Sequence, residues 1–392
     1  MSIDIDDAVR QTDFDALSSR LSCYLKGYTP QDNLILDLIP LIIYYQLISC
    51  QSEFKRFALS RKLKSLFFNI FPSNLLDINK ILNFNNNEIL SKINKFTPLK
   101  SPMINRGTYL RTTSITKNIL NFCNKNKNLN KIQIISLGSG NDTRPFYILP
   151  KFENLSYFEL DFQFTTKLKK LAILSSSKLS NTLNLNSLSL SNLPHTFENI
   201  LSFNPSLNSS NYHLIPCDLR KLNSILNNDQ FKYIDPFVPT LIISECCICY
   251  LSKDDSNNLI SFWRNHLNNA EFLIYEPIGG DSSNIPNNSN SNYGEVMIKN
   301  LICRGIEMPT LITYGTINLQ IERFNKLINI KNENNKFFDC KIWCKDMKWV
   351  YDNQIDINDI DRISRLEMLD EMEELNLINS HYCMIIASWK LL

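Results

Sequence analysis

The segment Lys131–Thr143, with the sequence KIQIISLGSGNDT, constrains the fold of this chain more than any other stretch. It begins with closely spaced β-formers and breaks at Gly-Ser-Gly, which is typical of a buried parallel strand followed by a tight turn. Asn141 or Asp142 can serve as the N-cap of a following helix, with Pro145 just inside it. The backbone N–H groups of such a turn can approach a bound ligand. The segment therefore indicates a nucleoside-binding turn, and an ordinary strand-to-helix turn stays open as the alternative.

A second candidate strand, Leu155–Phe164, carries acidic residues about twenty positions after the glycines. Glu159 and Asp161 lie near its end. At this place in a dinucleotide-type fold, a carboxylate accepts hydrogen bonds from both ribose hydroxyls and repels a 2′-phosphate. The glycine turn and the spaced acid together favour a nucleoside ligand, but they do not distinguish NAD from S-adenosylmethionine.

Further strands alternate with helical segments, which predicts a doubly wound parallel sheet. Tyr212–Leu219 and Thr240–Tyr250 are the third and fourth strands, and a fifth follows Glu271. Ligands of such sheets bind at the carboxyl ends of the strands. The residues expected at or near those ends are Gly138, Asp161, Asp218 and Glu245. Because a buried unpaired carboxylate is costly, Glu245 needs a cationic partner, either an arginine or the ammonium group of a methionine moiety.

The first hundred residues are predicted to form a mainly helical region ahead of the sheet. Residues 1–12 show no clear pattern and are expected to be frayed, and a helix over Asp15–Gly27 has Thr12 or Asp13 near its start. The most apolar segment, Leu34–Cys50, contains an aspartate and a proline and is too short to span a membrane comfortably. We expect it to be a helix that packs on the protein.

Three further segments complete the outline. Residues 101–111 place two arginines in a loop just before a helix over Thr113–Cys123. Residues 175–211 are rich in serine, asparagine and leucine, which predicts a poorly packed insertion. An apolar alternating stretch at Phe337–Val350 and a last strand at Tyr382–Trp389 predict a terminal hairpin. Such a hairpin is more typical of a methyltransferase than of a dehydrogenase.

Charge and cysteine usage narrow the class of protein. The net charge is only +2, so no strong field draws nucleic acid or an anionic membrane surface. Eleven scattered cysteines, with no signal peptide before them, indicate reduced thiols in the cytoplasm. Cys340 and Cys344 with His381 lack a second cysteine pair, so we interpret them as structural residues and expect no metal site.

Several longer motifs run in order from residue 11 to nearly the end of the chain. They are QTDFDALSSR (11–20), INRGTYLR (104–111), LGSGNDT (137–143), YFELD (157–161), CDL (217–219), ISECCICY (243–250), YEPIGG (275–280), YGEVMIKNL (293–301), EMPTLITY (307–314) and LEMLDEMEEL with HYC (366–375, 381–383). In these blocks the chain resembles the leucine carboxyl methyltransferases, which methylate the C-terminal leucine of type 2A protein phosphatase catalytic subunits. The resemblance covers most of the chain.

The resemblance implies a Rossmann-like class I S-adenosylmethionine-dependent methyltransferase of the α/β class. It implies a doubly wound, mostly parallel sheet with a C-terminal antiparallel hairpin, as a single domain over residues 1–392. Within it, residues 1–100 would form a helical lid and residues 101–392 the core. Position by position, it implies S-adenosylmethionine contacts at Arg20, Arg111, Gly138, Asp161, Asp218, Leu219 and Glu245. It also implies a monomer whose partner is the C-terminal tail of the phosphatase catalytic subunit.

The residue types fit methyl transfer to a carboxylate. A carboxylate acceptor is already ionised at neutral pH and needs no general base. Arginine offers a planar fork to a planar anion, so Arg111 is the expected positioner of a cofactor or substrate carboxylate, with Arg20 beside it. Arg20 departs from family members that carry lysine there, but it keeps the charge. The N-terminal helices and the loop 279–292 are candidate lids.

Two other functions remain alternatives. One is the related carboxyl methyltransferase of tRNA wybutosine synthesis, a protein type with a propeller of repeats that this chain does not show. The nearly neutral net charge of this chain is also a poor basis for tRNA binding. The other is an inactive cofactor-binding scaffold for the phosphatase subunit.

Overall fold

An eight-stranded sheet organises the molecule. The structure is a computed structural model that describes residues 5–71, 74–83, 86–93, 97, 99–221, 225–226, 229–279, 292–329 and 338–391. Its strands are β1 (Ile132–Leu137), β2 (Leu155–Asp161), β3 (Leu207–Asn208), β4 (Tyr212–Pro216), β5 (Thr240–Glu245), β6 (Asn269–Pro277), β7 (Phe338–Asp346) and β8 (Tyr382–Leu391). The described helices are α1 (Ile5–Leu25), α2 (Ile35–Ile48), α3 (Glu53–Leu66), α4 (Ile78–Leu82), α5 (Asn86–Lys92), α6 (Pro102–Lys125), α7 (Arg144–Ile148), α8 (Gln163–Ser175), α9 (Ser177–Thr182), α10 (Phe197–Ser202), α11 (Lys253–His266), α12 (Asn292–Cys303), α13 (Pro309–Thr313), α14 (Ile317–Ile328), α15 (Met347–Gln354), α16 (Ile357–Ser364) and α17 (Met372–Ser380).

The strand order is β3-β4-β2-β1-β5-β6-β8-β7. Strands β4, β2, β1, β5 and β6 are mutually parallel, and β8 runs antiparallel between β6 and β7. Chain order reverses at β1, from which the sheet is built outwards in both directions. The predicted doubly wound, mostly parallel sheet with a C-terminal antiparallel pair is therefore confirmed. In sheets of this kind the reversal point forms a crevice at the carboxyl ends of the strands.

Alternate residues of the central strands enter two hydrophobic cores, one on each face of the sheet. Ile134 and Tyr157 pack on one face with residues of α2, α6 and α8, whereas Ile135 and Phe158 pack on the other with residues of α11 and α14. Burying each large aliphatic or aromatic side chain contributes about 1.5–3 kcal/mol relative to leaving it exposed. This double cover explains the continuous apolar runs of the central strands and holds their carboxyl ends in register.

Helix α1 begins earlier than the sequence suggests. The expectation of a frayed segment up to residue 12 is wrong from residue 5 onwards, and Thr12 and Asp13 lie inside the helix rather than near its start. Leu17 and Leu21 are buried on one face of the helix, and Ala8 is buried as well, so packing on the protein also holds the first turns of the helix in place. The helix ends at Leu25, just before Gly27, whose φ of +82° suits only glycine comfortably.

Helix α2 confirms the expectation for the most apolar N-terminal segment. Almost all of its side chains are buried, and it packs against α8 on one face of the sheet. Over the described residues, no helix combines the length and apolar character that crossing a membrane requires.

Two expectations about the middle of the chain are corrected. Residues 101–111 are not a loop: α6 already begins at Pro102, with Ser101 as N-cap and proline in the first turn. Residues 175–211 are not poorly packed, because Leu179, Leu183 and Ile200 are fully buried in the core next to α2. In the sequence these leucines resemble a low-complexity segment, because the sequence alone does not show the surface that they cover. The predicted lid loop 279–292, apart from its first and last residues, lies outside the described residues.

Candidate active site

A cavity of about 440 Å³ opens at the carboxyl ends of the parallel strands. Helix α1 lies along one side of it, α6 contributes another wall, and residues around Leu301 and Met308 border the opening. All the residues that the sequence placed in the site line this cavity: Arg20, Arg111, Gly138, Asp161, Asp218, Leu219 and Glu245. They come from six places in the fold: helices α1 and α6, and the ends of β1, β2, β4 and β5.

The turn after β1 has room only for glycine at two positions. Gly138 and Gly140 have φ angles of +59° and +50°, which residues with a side chain rarely adopt. A Cβ at Gly138 would lie 2.4 Å from Cys247 Sγ, and one at Gly140 would lie 2.3 Å from Asp13 Oδ1. Close packing from two other elements therefore requires both glycines.

Asp161, at the end of β2, holds this turn in place. Its Oδ2 accepts a hydrogen bond of 2.6 Å from the Gly140 N–H, and its Oδ1 accepts one of 2.7 Å from the Phe162 N–H. Burial raises the pKa of Asp161 to about 6, against the opposing effect of the Gly140 hydrogen bond. The carboxylate is therefore mainly ionised at neutral pH, and each oxygen keeps a further lone pair for a ligand hydroxyl.

Glu159, two residues earlier, stabilises the glycine turn from outside the cavity. It is fully buried and pairs at 2.6 Å with the Lys169 ammonium on α8. The same Nζ donates a 2.8 Å hydrogen bond to the backbone carbonyl of Asp142. The two acids of β2 thus divide their roles: Asp161 lines the cavity, and Glu159 anchors the lysine that supports the turn.

Glu245, at the end of β5, has the cationic partner that the sequence argument requires, and the partner is arginine. Its Oε1 accepts from Arg111 Nε, and its Oε2 accepts a 2.7 Å hydrogen bond from Arg144 Nη1. Burial alone would raise the pKa of Glu245, but Arg144 and Arg111 outweigh it and hold that pKa well below its usual range. Glu245 is therefore a permanent anion between two arginines.

Asp142 continues this chain of alternating charges towards α1. It accepts 2.8 Å and 2.7 Å hydrogen bonds from the guanidinium groups of Arg144 and Arg20. Thr143, rather than Asn141 or Asp142, is the N-cap of α7, although Asp142 Oδ1 does accept from the Arg144 backbone N–H at 3.1 Å. The structure thus links Arg20 to Arg111 through a network and not by direct contact.

Asp32 closes the far end of the network. Its carboxylate pairs with Arg20 at 2.9 Å and accepts from the Thr143 hydroxyl. The members of the resulting ion network are, in order, Arg111, Glu245, Arg144, Asp142, Arg20 and Asp32. Three arginines and three carboxylates balance, which is what allows so many charges to stay largely buried.

Asp218 and Leu219 follow β4 at another side of the cavity. Asp218 accepts 2.8 Å and 2.9 Å hydrogen bonds from Arg220, which also reaches Asp6 on α1 at 3.0 Å. Burial alone would raise the pKa of Asp218, but the Arg220 hydrogen bonds outweigh it and lower that pKa. Leu219 is buried and adds an apolar surface beside this carboxylate.

Sequence reasoning missed three contributors: Arg144, Asp32 and the role of Asp13. Arg144 directly follows the LGSGNDT motif, and its charge beside a predicted ligand turn is a signal that could have been used. Asp32 lies in a loop with no pattern around it, and its partners are 12 and 111 residues away in the chain. Nothing local in the sequence identifies it.

Several buried polar atoms around the cavity find no partner within the described part of the chain. They are Arg20 Nε, Arg144 Nε and Nη2, Ser139 Oγ and Asn141 Oδ1. They are shielded from the cavity as well as from solvent, so they are not themselves ligand contacts. The glycine turn, the acid of β2 and Arg111 do line the cavity, and together they fit a nucleoside cofactor that carries an amino-acid moiety.

No metal centre is formed by the residues described. No three histidine, cysteine or acidic side chains there are arranged to hold an ion. All eleven cysteines, each within the described ranges, are free thiols.

Known proteins match this chain over most of its length. The family model described as leucine carboxyl methyltransferase matches residues 60–263. A leucine carboxyl methyltransferase 1 of Candida albicans is 33% identical, over 98% of this chain and 93% of that protein. Its counterpart in Debaryomyces hansenii is 32% identical, over 98% and 94% of the two chains. Among solved structures, the plantazolicin methyltransferase BamL matches with 11% identity and a TM-score of 0.36, covering 72% of this chain and 85% of that one.

The family match and the sheet order agree on a class I methyltransferase fold. The match reaches across more than half of the chain, and the relatives align with nearly all of it. The chain belongs to the leucine carboxyl methyltransferase family.

Proposed function

We propose that this protein transfers a methyl group from S-adenosylmethionine to the C-terminal leucine α-carboxylate of the protein phosphatase 2A catalytic subunit. We further propose that it does so as a cytoplasmic, single-domain monomer. The observation that carries the proposal is that one cavity joins a glycine turn and a ribose-type acid to a balanced arginine network. Family membership supports the carboxyl acceptor.

The cofactor would be held by the strand ends. Asp161 is the proposed partner of the ribose hydroxyls, and Asp218 with Leu219 would border the adenosyl group. Arg111 and Arg20 are the proposed partners of carboxylate groups. Bound S-adenosylmethionine would supply a methyl group on a cationic sulfonium. The ion network keeps the arginines charged and fixed before any ligand arrives, so little reorganisation is needed during the reaction.

Arg111 is the residue best suited to orient an acceptor carboxylate. Glu245 takes its Nε–H, which fixes the guanidinium plane, and the side chain lines the cavity, where its Nη donors would serve an anion. The face of Tyr275 lies 5.1 Å from its Cζ and restricts the side chain further. Alignment of acceptor oxygen, methyl carbon and sulfur supplies much of the rate of an in-line displacement. An ionised carboxylate needs no base, so this chain's task is to orient it and to exclude water.

A single assay tests the proposal. Purified protein is incubated with S-adenosylmethionine labelled in the methyl group and with phosphatase core enzyme, the same enzyme lacking its terminal leucine, or bulk tRNA. We expect base-labile label on the complete phosphatase only. Label on tRNA would favour the wybutosine-type activity, and absence of label with normal cofactor binding would favour a scaffold. Either result would contradict the proposed function.

A further inference from the structure

The backbone N–H groups of the glycine turn are all used within the protein. Over residues 138–142, three of them donate to backbone carbonyls, at 2.8, 3.4 and 3.1 Å. The other two donate to carboxylates: Gly140 to Asp161 at 2.6 Å, and Asn141 to Asp13 at 3.0 Å. In dinucleotide-binding folds the same turn offers its N–H groups to a phosphate. Here side-chain carboxylates take that place.

Asp13 comes to this position from outside the sheet. It lies on α1, far from the turn in sequence, and its Oδ1 would be 2.3 Å from a Cβ at Gly140. Its Oδ2 accepts from the side-chain amide of Asn141. The carboxylate therefore lies directly against the turn, and α1 carries a negative charge to the point where the dinucleotide fold holds its anionic ligand.

The hydrogen bonds of Asp13 favour its ionised form. Burial raises its pKa, while the hydrogen bonds from Asn141 oppose that shift. Both oxygens accept from N–H donors, an arrangement that favours the carboxylate over the neutral acid. Asp161 adds a second carboxylate to the same turn, so two negative charges face any group bound there. Such a field opposes a phosphate and favours a cation such as a sulfonium.

We propose that Asp13 is a specificity-determining residue whose carboxylate occupies the phosphate position of the glycine turn and excludes 5′-phosphorylated nucleotides from the cofactor site. A site built to bind adenosine by its ribose and base would otherwise accept adenosine phosphates. The inference rests on the proposed function for the identity of the cofactor, and it assigns to α1 a selective role beyond that of a cover.

The test compares the Kd of adenosine with that of adenosine 5′-monophosphate by displacement of S-adenosylhomocysteine in calorimetry. It uses the wild type, Asp13→Asn and Asp13→Ala. Asp13→Asn keeps the shape, because the Asn141 amide can rotate and present its Oδ1, which has no partner within the described ranges. Asp37→Asn is the control, since its carboxylate lies on α2 away from the cavity and pairs with Lys178.

We expect the ratio of the Kd of adenosine 5′-monophosphate to the Kd of adenosine to fall by at least about tenfold in both Asp13 variants and to stay unchanged in Asp37→Asn. Binding of S-adenosylhomocysteine should persist in every variant. Persistent binding with an unchanged ratio in both Asp13 variants would overturn this inference and leave the proposed function intact. Failure of the wild type to bind S-adenosylhomocysteine would overturn the proposed function, and this inference with it.

Discussion

Arg111 and Arg144 both pair with Glu245, but we expect Arg111→Ala to lower mainly the activity and Arg144→Ala to lower mainly the stability. The Arg111 side chain is 25% exposed and that of Arg144 only 1%, against a Glu245 side chain that is 16% exposed. In Arg111→Ala, Glu245 keeps its bond to Arg144, so the free energy of unfolding should fall by only about 1 kcal/mol. The lost charge-assisted hydrogen bond to a ligand carboxylate is worth about 1.5–3 kcal/mol. At 1.36 kcal/mol per factor of ten, kcat/KM should fall by roughly ten- to 150-fold.

Arg144→Ala removes the central cation of the ion network instead. The network would then carry one uncompensated negative charge, on Glu245 and Asp142, in a largely buried environment. This charge should lower the free energy of unfolding by about 3–5 kcal/mol. Urea unfolding followed by circular dichroism measures stability, and initial rates with labelled cofactor and phosphatase core enzyme measure activity. Near-normal turnover of Arg111→Ala, or equal unfolding midpoints for the two variants, would refute the reasoning.

Three further predictions concern the turn and the buried acids. Gly140→Ala places a Cβ 2.3 Å from Asp13 Oδ1 at a φ of +50°, so calorimetry should detect no S-adenosylhomocysteine binding and unfolding should be easier by about 1–3 kcal/mol. Gly107→Ala, where the added Cβ meets nothing within 4 Å, is the matched control and should stabilise helix α6 by about 0.5–1 kcal/mol. Asp161→Ala should raise the Kd for S-adenosylhomocysteine at least about tenfold, and unchanged binding would count against a ribose role. Burial raises the pKa of Glu276 from 4.5 to about 7, so the native state binds more protons than the unfolded chain and stability should fall as the pH rises between these values. Glu276→Gln should flatten that fall by up to about 1.4 kcal/mol per pH unit in urea titrations, and identical slopes in both proteins would show that Glu276 ionises normally.

The sheet and its strand ends could be predicted because the residues that determine each strand are neighbours in the sequence. A strand covered on both faces must be apolar throughout, so β1 and β5 are visible as runs in the sequence. Their ends are visible too, because glycine or an acid interrupts each run. The start of α6 can also be read from the sequence, since Ser101 and Pro102 are typical of a helix beginning, but Asn105 and Gly107 give the segment a loop-like composition.

The ion pairs within the site could not be predicted, because they join residues that lie far apart in the chain. Arg20 meets Asp142 across 122 residues of chain, and Arg144 meets Glu245 across 101. Asp13 looks like a helix-start residue in isolation, and only the approach of α1 to the turn gives it another role. In the sequence, such charged residues cannot be distinguished from ordinary surface residues, because only the fold brings them together.

The place of β8 in the sheet has a consequence for biosynthesis. Nine residue pairs join it to β6 and nine more join it to β7, so it is inserted between two strands that the ribosome delivers first. Until residues 382–391 have emerged, the nascent chain carries unpaired backbone groups along both of its neighbours. Such bare edges recruit strands from other molecules. The sheet is therefore completed only after β8 has been translated, and a ribosome that stalls before it leaves an aggregation-prone intermediate.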